Sequence, residues 1–256
     1  MMALSTDLAL APFAPASAVD LCADQLRGRI LAGSLAVGTR LPPERDLAAQ
    51  FGVNRVTVRS ALAQLRTEGL LSVRQGRGYE VQDFQRESGP TLLPSVLSVA
   101  RGRSRQELAR WVTDMLAARR HLARAVLFEL LERRPDIGPV LRALDAFADA
   151  VQAGTSDPRA LSALDMEILR SLLEAAGNRV LRLAFNPVLT TLAALPELEE
   201  QMYLAPETNV LGYALLRAWL AAPQREAIEP LLEALAERDR ENVARLLARP
   251  TPEAPR

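Results

Sequence analysis

Apolar positions in the first third of the chain change period once, and the change marks out a small fold. Leu21, Leu26 and Ile30 share a helical face between Val19 and Leu31, and Gly33-Ser34-Leu35-Ala36-Val37-Gly38 closes that segment as a turn. Pro42-Pro43-Glu44-Arg45 opens a second helix. Proline in a first turn forfeits no hydrogen bond, and an acid suits the positive helix end. Phe51-Gly52 stops it, because glycine takes the left-handed position beyond a helix end. Asn54 then caps a third helix with Val58, Ala61, Leu62 and Leu65 as its stripe, ended by Gly69. Leu70–Val73 and Tyr79–Val81 are short β-prone runs around Arg74-Gln75-Gly76-Arg77-Gly78, which predicts a hairpin. Helix, short helix, tight turn, helix and hairpin make a winged helix-turn-helix over residues 18–84.

The pattern beyond Phe84 is different. Residues 85–90 are polar with Gly89 and Pro90 and read as a linker, after which residues 91–249 carry helical signal only. Ser104-Arg105-Gln106-Glu107 is a capping box opening a long helix to about Arg134, before Pro135. Further helices fit Ile137–Gln152, Pro158–Ala176, Arg179–Ala194, Glu207–Ala221 and Arg225–Ala248, with breaks or kinks expected at Pro187 and Pro230. The fold class is therefore mainly α, a winged helix-turn-helix followed by an all-helical antiparallel bundle. A disordered arm is expected over 1–17 and a disordered tail over 250–256.

Composition narrows the chemistry. One cysteine, Cys22, rules out a disulfide framework or a multi-cysteine metal site, and one histidine, His121, rules out HExxH-type sites. No apolar run is long enough for a membrane span, and no basic residue precedes the apolar opening, so a cytoplasmic chain is expected. Basic and acidic residues number 31 each, so the total charge points to no partner. Its distribution does. Five arginines fall between Arg55 and Arg77, where Glu68 is the only acid, and this makes a basic patch.

That patch coincides with the helix-turn-helix. Such a motif sets its second helix in the major groove of double-stranded DNA, with residues near the N-terminus of that helix reaching base edges. Here these are Asn54, Arg55, Thr57 and Arg59. Arginine pairs bidentately with guanine, and threonine reaches a phosphate or a thymine methyl. Arg45 on the preceding helix is placed for the backbone or groove edge. The wing tip, Gln75, Gly76 and Arg77, suits a narrow minor groove.

Arg40-Leu41-Pro42-Pro43-Glu44-Arg45-Asp46-Leu47-Ala48, followed by Gly52-Val53-Asn54-Arg55-Val56-Thr57-Val58-Arg59 and Leu65 to Gly69, closely resembles the reading head of the GntR family of bacterial transcription regulators. The resemblance implies DNA contacts at Arg45, Arg55, Thr57, Arg59, Gln75 and Gly76. Val56 stands where a hydroxyl is often found. The all-helical second half narrows the resemblance to the fatty-acid-responsive FadR branch, whose effector is a long-chain fatty acyl-CoA. In a commoner subtype an Asp and three His hold a metal. Asp165-Met166-Glu167-Ile168-Leu169 and Gly177-Asn178 resemble its motif, but Leu169 and Ile228 stand at histidine positions. No metal and no other cofactor is expected. Asp239, Asn242 and Leu246 differ from the small or aromatic ligand-contacting residues of the FadR pattern.

The residues support a ligand site independently. Leu108, Val112, Met115, Arg119, Leu122, Val126 and Leu130 share one face of the long helix, with Arg119 in its middle. Asp165 shares a face with Leu161, Leu164, Ile168 and Leu172, while Arg238 and Asn242 fall among Leu231, Leu235 and Leu246. A buried charge demands a partner. Either Arg119 and Asp165 pair within the bundle, or Arg119, Asp165, Arg238 and Asn242 anchor an acidic ligand with an apolar tail. Tyr203, Tyr213 and Trp219 are candidates to line its cavity or to serve as core.

No catalytic set is present. His121 lies off the apolar face of its helix, Cys22 has no histidine near it, and no glycine-rich loop follows a strand in a phosphate-binding context, so an enzyme is not expected. The sequence predicts a homodimeric repressor that binds a pseudopalindromic operator under control of an apolar acidic ligand such as a fatty acyl-CoA. Two alternatives stand beside it: a small-carboxylate effector on the same head, or a dimerising DNA-binding protein with no small-molecule ligand.

Overall fold

A computed structural model describes residues 17–74, 76, 78–193 and 195–248. The arm expected over 1–17, Ser17 excepted, and the tail expected over 250–256 lie outside the described residues. The chain divides into two compact units meeting at Leu92 and Leu93.

In the first unit, Ser17 and Asp20 form a reciprocal cap that opens α1 (Ala18–Leu31). Its buried face runs through Cys22, Leu26 and Ile30. Leu21, expected on that face, is 54% exposed, because it sits a full 100° step from Cys22. Arg27 is buried instead, with its guanidinium bonded to Glu68 at 2.8 and 2.6 Å and also to Asp24. α2 (Glu44–Phe51) ends at Gly52, whose φ of 67° a side-chain-bearing residue would adopt only with strain. The turn leads into α3 (Arg55–Thr67), whose Val58, Ala61, Leu62 and Leu65 are fully buried. β1 (Leu71–Arg74) pairs antiparallel with β2 (Gly78–Val81), Leu71 opposite Val81 and Arg74 opposite Gly78. The segment before α2 lies along the other edge of β2: Leu41 N–H donates to Tyr79 O and Val81 N–H to Thr39 O, each at 2.9 Å. The hairpin is thus stitched to the turn ahead of the helix pair. Residues 85–87 of the expected linker, together with Phe84, form one helical turn, α4 (Phe84–Glu87), followed by a 3-10 turn at Pro90–Leu92.

Every element of the second unit is helical: α5 (Leu93–Arg103), α6 (Arg105–Arg133), α7 (Gly138–Gln152), α8 (Pro158–Ala176), α9 (Arg179–Ala193), α10 (Pro196–Met202), α11 (Pro206–Ala221) and α12 (Ile228–Ala248). Ser104 caps α6 by accepting from Glu107 N–H at 3.0 Å. That helix ends with Arg134 at φ 47°, where the following Pro135 disfavours helical backbone. Pro187 lies inside α9, which continues through it. Pro230 falls in the first turn of α12, where its missing N–H leaves no bond unmade, so the break expected there is replaced by a start at Ile228. α12 packs along α6, α7 along α8, and α11 against α7. The core they share includes Phe147 and Phe185, each essentially fully buried, contributing about 1.5–3 kcal/mol apiece relative to exposure. Among the described residues no helix is long and apolar enough to cross a membrane.

Candidate functional site

The recognition surface of the first unit follows from how α3 begins. Asn54 Oδ1 accepts the backbone N–H of Thr57 at 2.8 Å and its hydroxyl at 3.1 Å. The cap satisfies a helix-end donor and fixes the first turn. With Val58, Ala61, Leu62 and Leu65 turned into the core, Arg55, Val56 and Arg59 are left on the exposed face. Arg59 is not loose there. Its Nη2 and Nε donate to Glu44 Oε2 at 2.8 and 3.1 Å, tying α3 to the start of α2. The bond from Arg59 holds the Glu44 carboxyl below the usual carboxylate range. Arg45 is exposed on α2, its Nε 3.1 Å from the Asp46 carboxylate. In the wing, Arg74 faces Glu80 across the hairpin at 3.7 Å, and Gly76 has φ 74° between the strands. Gln75 and Arg77, expected beside it, lie outside the described residues.

The second unit contains a cavity of ≈ 380 Å³ walled mainly by α6, α8, α11 and α12, with Phe185 of α9 and Met202 of α10 closing it. Its lining is mostly apolar, Val126, Ile168, Leu172 and Phe185 among it, interrupted by Arg119, Asp165, Tyr213 and Arg238. Three of the four residues expected to hold a ligand therefore reach one cavity. The fourth, Asn242, is buried elsewhere, with Oδ1 accepting from Arg245 at 2.5 Å.

Arg119 and Asp165 are not each other's partners. Arg119 Nη2 donates to Asp239 Oδ1 at 2.7 Å, and Arg120 Nη1 takes the other oxygen at 2.7 Å. Asp239, noted in the sequence only as a departure from a pattern, is thus the counter-ion of the long helix. Asp165 accepts from the Tyr203 hydroxyl at 2.6 Å and from the Tyr213 hydroxyl. Phe147 positions both phenols, with its ring centroid 6.4 Å from that of Tyr203 and 5.1 Å from that of Tyr213, the latter edge-on. Burial, reinforced by the Asp165 charge, pushes both phenol pKa values well above the ordinary tyrosine value. Trp219, by contrast, is core: its indole N–H donates to Gln224 O at 2.8 Å. Leu169 lines the cavity, and among the described residues no group of three His, Cys, Asp or Glu could hold a metal.

Sequence reasoning named two of the aromatics here but missed their role, and it missed one further residue. Tyr203 and Tyr213 were visible as aromatics but not as hydroxyl donors. Gly212 is the further residue, and it carried a signal: an isolated glycine inside an apolar helix marks a close approach. A Cβ there would lie 2.8 Å from Arg238 Nη1, so Arg238 rests against the backbone of α11.

Residues 20–81 match the family model described as bacterial regulatory proteins, gntR family. A fatty acid metabolism regulator protein of Serratia proteamaculans is 30% identical over 149 residues, covering 58% of each chain. The chain thus spans less than two thirds of that relative. HTH-type transcriptional regulator Mce2R of Mycobacterium tuberculosis is 32% identical over 184 residues, covering 70% of this chain and 72% of its own. The structure of Lar, which controls expression of the Listeria monocytogenes agr system, superposes with a TM-score of 0.52 at 13% identity, covering 91% of this chain and 98% of that one. At that identity the likeness is one of fold. The family consists of DNA-binding regulators rather than enzymes. With the capped recognition helix and the all-helical second unit already described, these matches place the chain in the gntR family of bacterial regulatory proteins.

Proposed function

We propose that the chain is a DNA-binding transcription regulator, a cytoplasmic homodimeric repressor whose operator binding is controlled by an apolar acidic ligand in the helical unit. The observation that carries this reading is the start of α3: Arg55 and Arg59 project from a capped helix whose opposite face is wholly core. A rigid helix presenting two guanidinium groups suits major-groove readout, with Arg45 and the wing set against the backbone. Two copies related by a two-fold present two such helices, which calls for a pseudopalindromic site. The ligand acts by binding one arrangement of the dimer better than the other, and the weaker DNA-binding arrangement is the one it favours. A mostly apolar cavity with cationic groups on its wall supports an acidic ligand with an acyl tail, and the name of the fatty acid metabolism regulators among the relatives agrees with that class.

Repeated selection of bound sequences from a random duplex pool tests the DNA part. Enrichment of a pseudopalindrome is the expected result. A pool that stays random through successive rounds would remove the proposal.

A further inference from the structure

The outward ridge of α3 carries a residue that neither packing nor charge explains. Val56 is 68% exposed, the one large apolar side chain left in solvent on α3 among the described residues. A β-branched residue is also among the weaker helix formers, so local propensity gives no reason for it. Its direction does. At 100° per residue, Val56 lies about 170° from the mean direction of Val58, Ala61, Leu62 and Leu65, so it points almost straight away from the core. Arg55 and Arg59 stand on one flank of that line, and Thr57 stands on the other.

The neighbours keep the line clear. Glu44 draws the Arg59 guanidinium toward the start of α2 at 2.8 Å. Thr57 is half-buried and spends its hydroxyl on Asn54 Oδ1 at 3.1 Å. Ser60 and Ala63, both exposed, continue the ridge with side chains no longer than valine. A helix laid into a major groove with this ridge foremost therefore meets the groove floor, at its first turn, with two methyl groups and no polar side-chain atom.

That limits what the floor can offer in return. The edges of guanine, adenine and cytosine present donors or acceptors there, and a valine against them desolvates those groups without replacing their bonds. Thymine alone presents an apolar group, its C5-methyl. We propose that Val56 is a specificity-determining residue: each operator half-site carries a thymine opposite it, selected through the C5-methyl, and 5-methylcytosine stands in for that thymine. This rests on reading α3 as the groove helix of a DNA-binding regulator. It adds which base one side chain demands, and by which atom.

The test begins with duplexes enriched from the random pool. Each thymine of a half-site is replaced in turn by deoxyuridine, which removes the C5-methyl and leaves every pairing atom in place. Affinity for the full chain is read by anisotropy titration. One thymine per half-site is expected to lose about fourfold on replacement, the size of one buried methyl group. Cytosine and 5-methylcytosine at that position should differ by about the same factor. In Val56→Ser the thymine and deoxyuridine duplexes should bind alike, while Val56→Thr, which keeps one methyl, should retain part of the difference. Both variants should melt with the parent, since residue 56 is exposed. A scan in which no thymine responds, or a response that persists in Val56→Ser, would overturn the proposal and leave the DNA reading standing. A pool that never enriches would remove the DNA reading, and the proposal with it, before any thymine is scanned.

Discussion

The two units treat charge in opposite ways. In the first, Arg45, Arg55 and Arg59 stand in solvent, and the one buried arginine among the described residues, Arg27, is matched to Glu68 by two bonds. In the second, Arg119, Asp165 and Asp239 are all taken out of water, where each depends on a specific partner. A surface cation keeps its hydration, and even where it is paired, as Arg59 is with Glu44, the pair yields to a polyanion at little cost. A buried one is tied to whatever sits opposite, here across 120 positions of sequence. The first arrangement presents charge. The second fixes which helices face one another across the bundle.

The contrast breaks first at Asp239. Replacing Asp239 with Ala strands Arg119 in the core and is expected to cost about 3–5 kcal/mol of stability, measured by denaturant unfolding. The double variant Arg119→Met/Asp239→Leu should regain most of that, because an apolar pair of similar volume asks for no desolvation. If Asp239→Ala is as stable as the parent, the buried pair is not the constraint described here.

On the exposed side, Arg55→Ala and Arg59→Ala should each cost about 1–3 kcal/mol of specific DNA affinity with no loss of stability. Equal losses on selected and random duplex would reassign them from bases to phosphates. The tyrosine pair offers a pH handle between these cases. Unfolded tyrosine loses its proton near pH 10, whereas Tyr203 and Tyr213 hold theirs to higher pH in the folded chain. Their contribution is therefore fully present below about pH 10 and is lost as pH rises above it. Alkaline unfolding should be shallower in Tyr203→Phe/Tyr213→Phe, a variant also expected to lose about 1–3 kcal/mol at neutral pH through the hydrogen bonds removed from Asp165. Smallest of all, Glu44→Gln frees Arg59 from its pair with Glu44 at the start of α2. A gain of a few-fold or less in affinity for random DNA is expected, read by anisotropy titration. A loss on selected DNA alone would mean that Glu44 aims Arg59 instead of restraining it.

What the sequence revealed follows the same division. The fold class was legible, and so were the cap at Asn54 and the α3 stripe, because turn chemistry and periodicity are local properties. α8 has the bounds its Asp-Pro start and Gly end suggested. α5 and α10 were not resolved as separate helices, since neither opens with a side-chain cap strong enough to mark it. Among charged residues, periodicity identified Arg119 and Asp165 as inward-facing but could not name their partners. A helical wheel gives a face, not what lies across from it. Asn242 was placed on the ligand face by the same reasoning, but it directly follows Glu241, the last lining position on α12, and is itself buried against Arg245.

Cys22 has a practical consequence. It is the only thiol in the chain, it lies 4% exposed in the core of the first unit, and burial pushes its pKa up. A thiol so placed reacts only when that core opens. The rate at which a colorimetric disulfide reagent consumes it therefore clocks excursions of the DNA-reading unit, with no contribution from the helical unit. Nature has left this regulator with a single built-in stopwatch, wired to one half of the molecule.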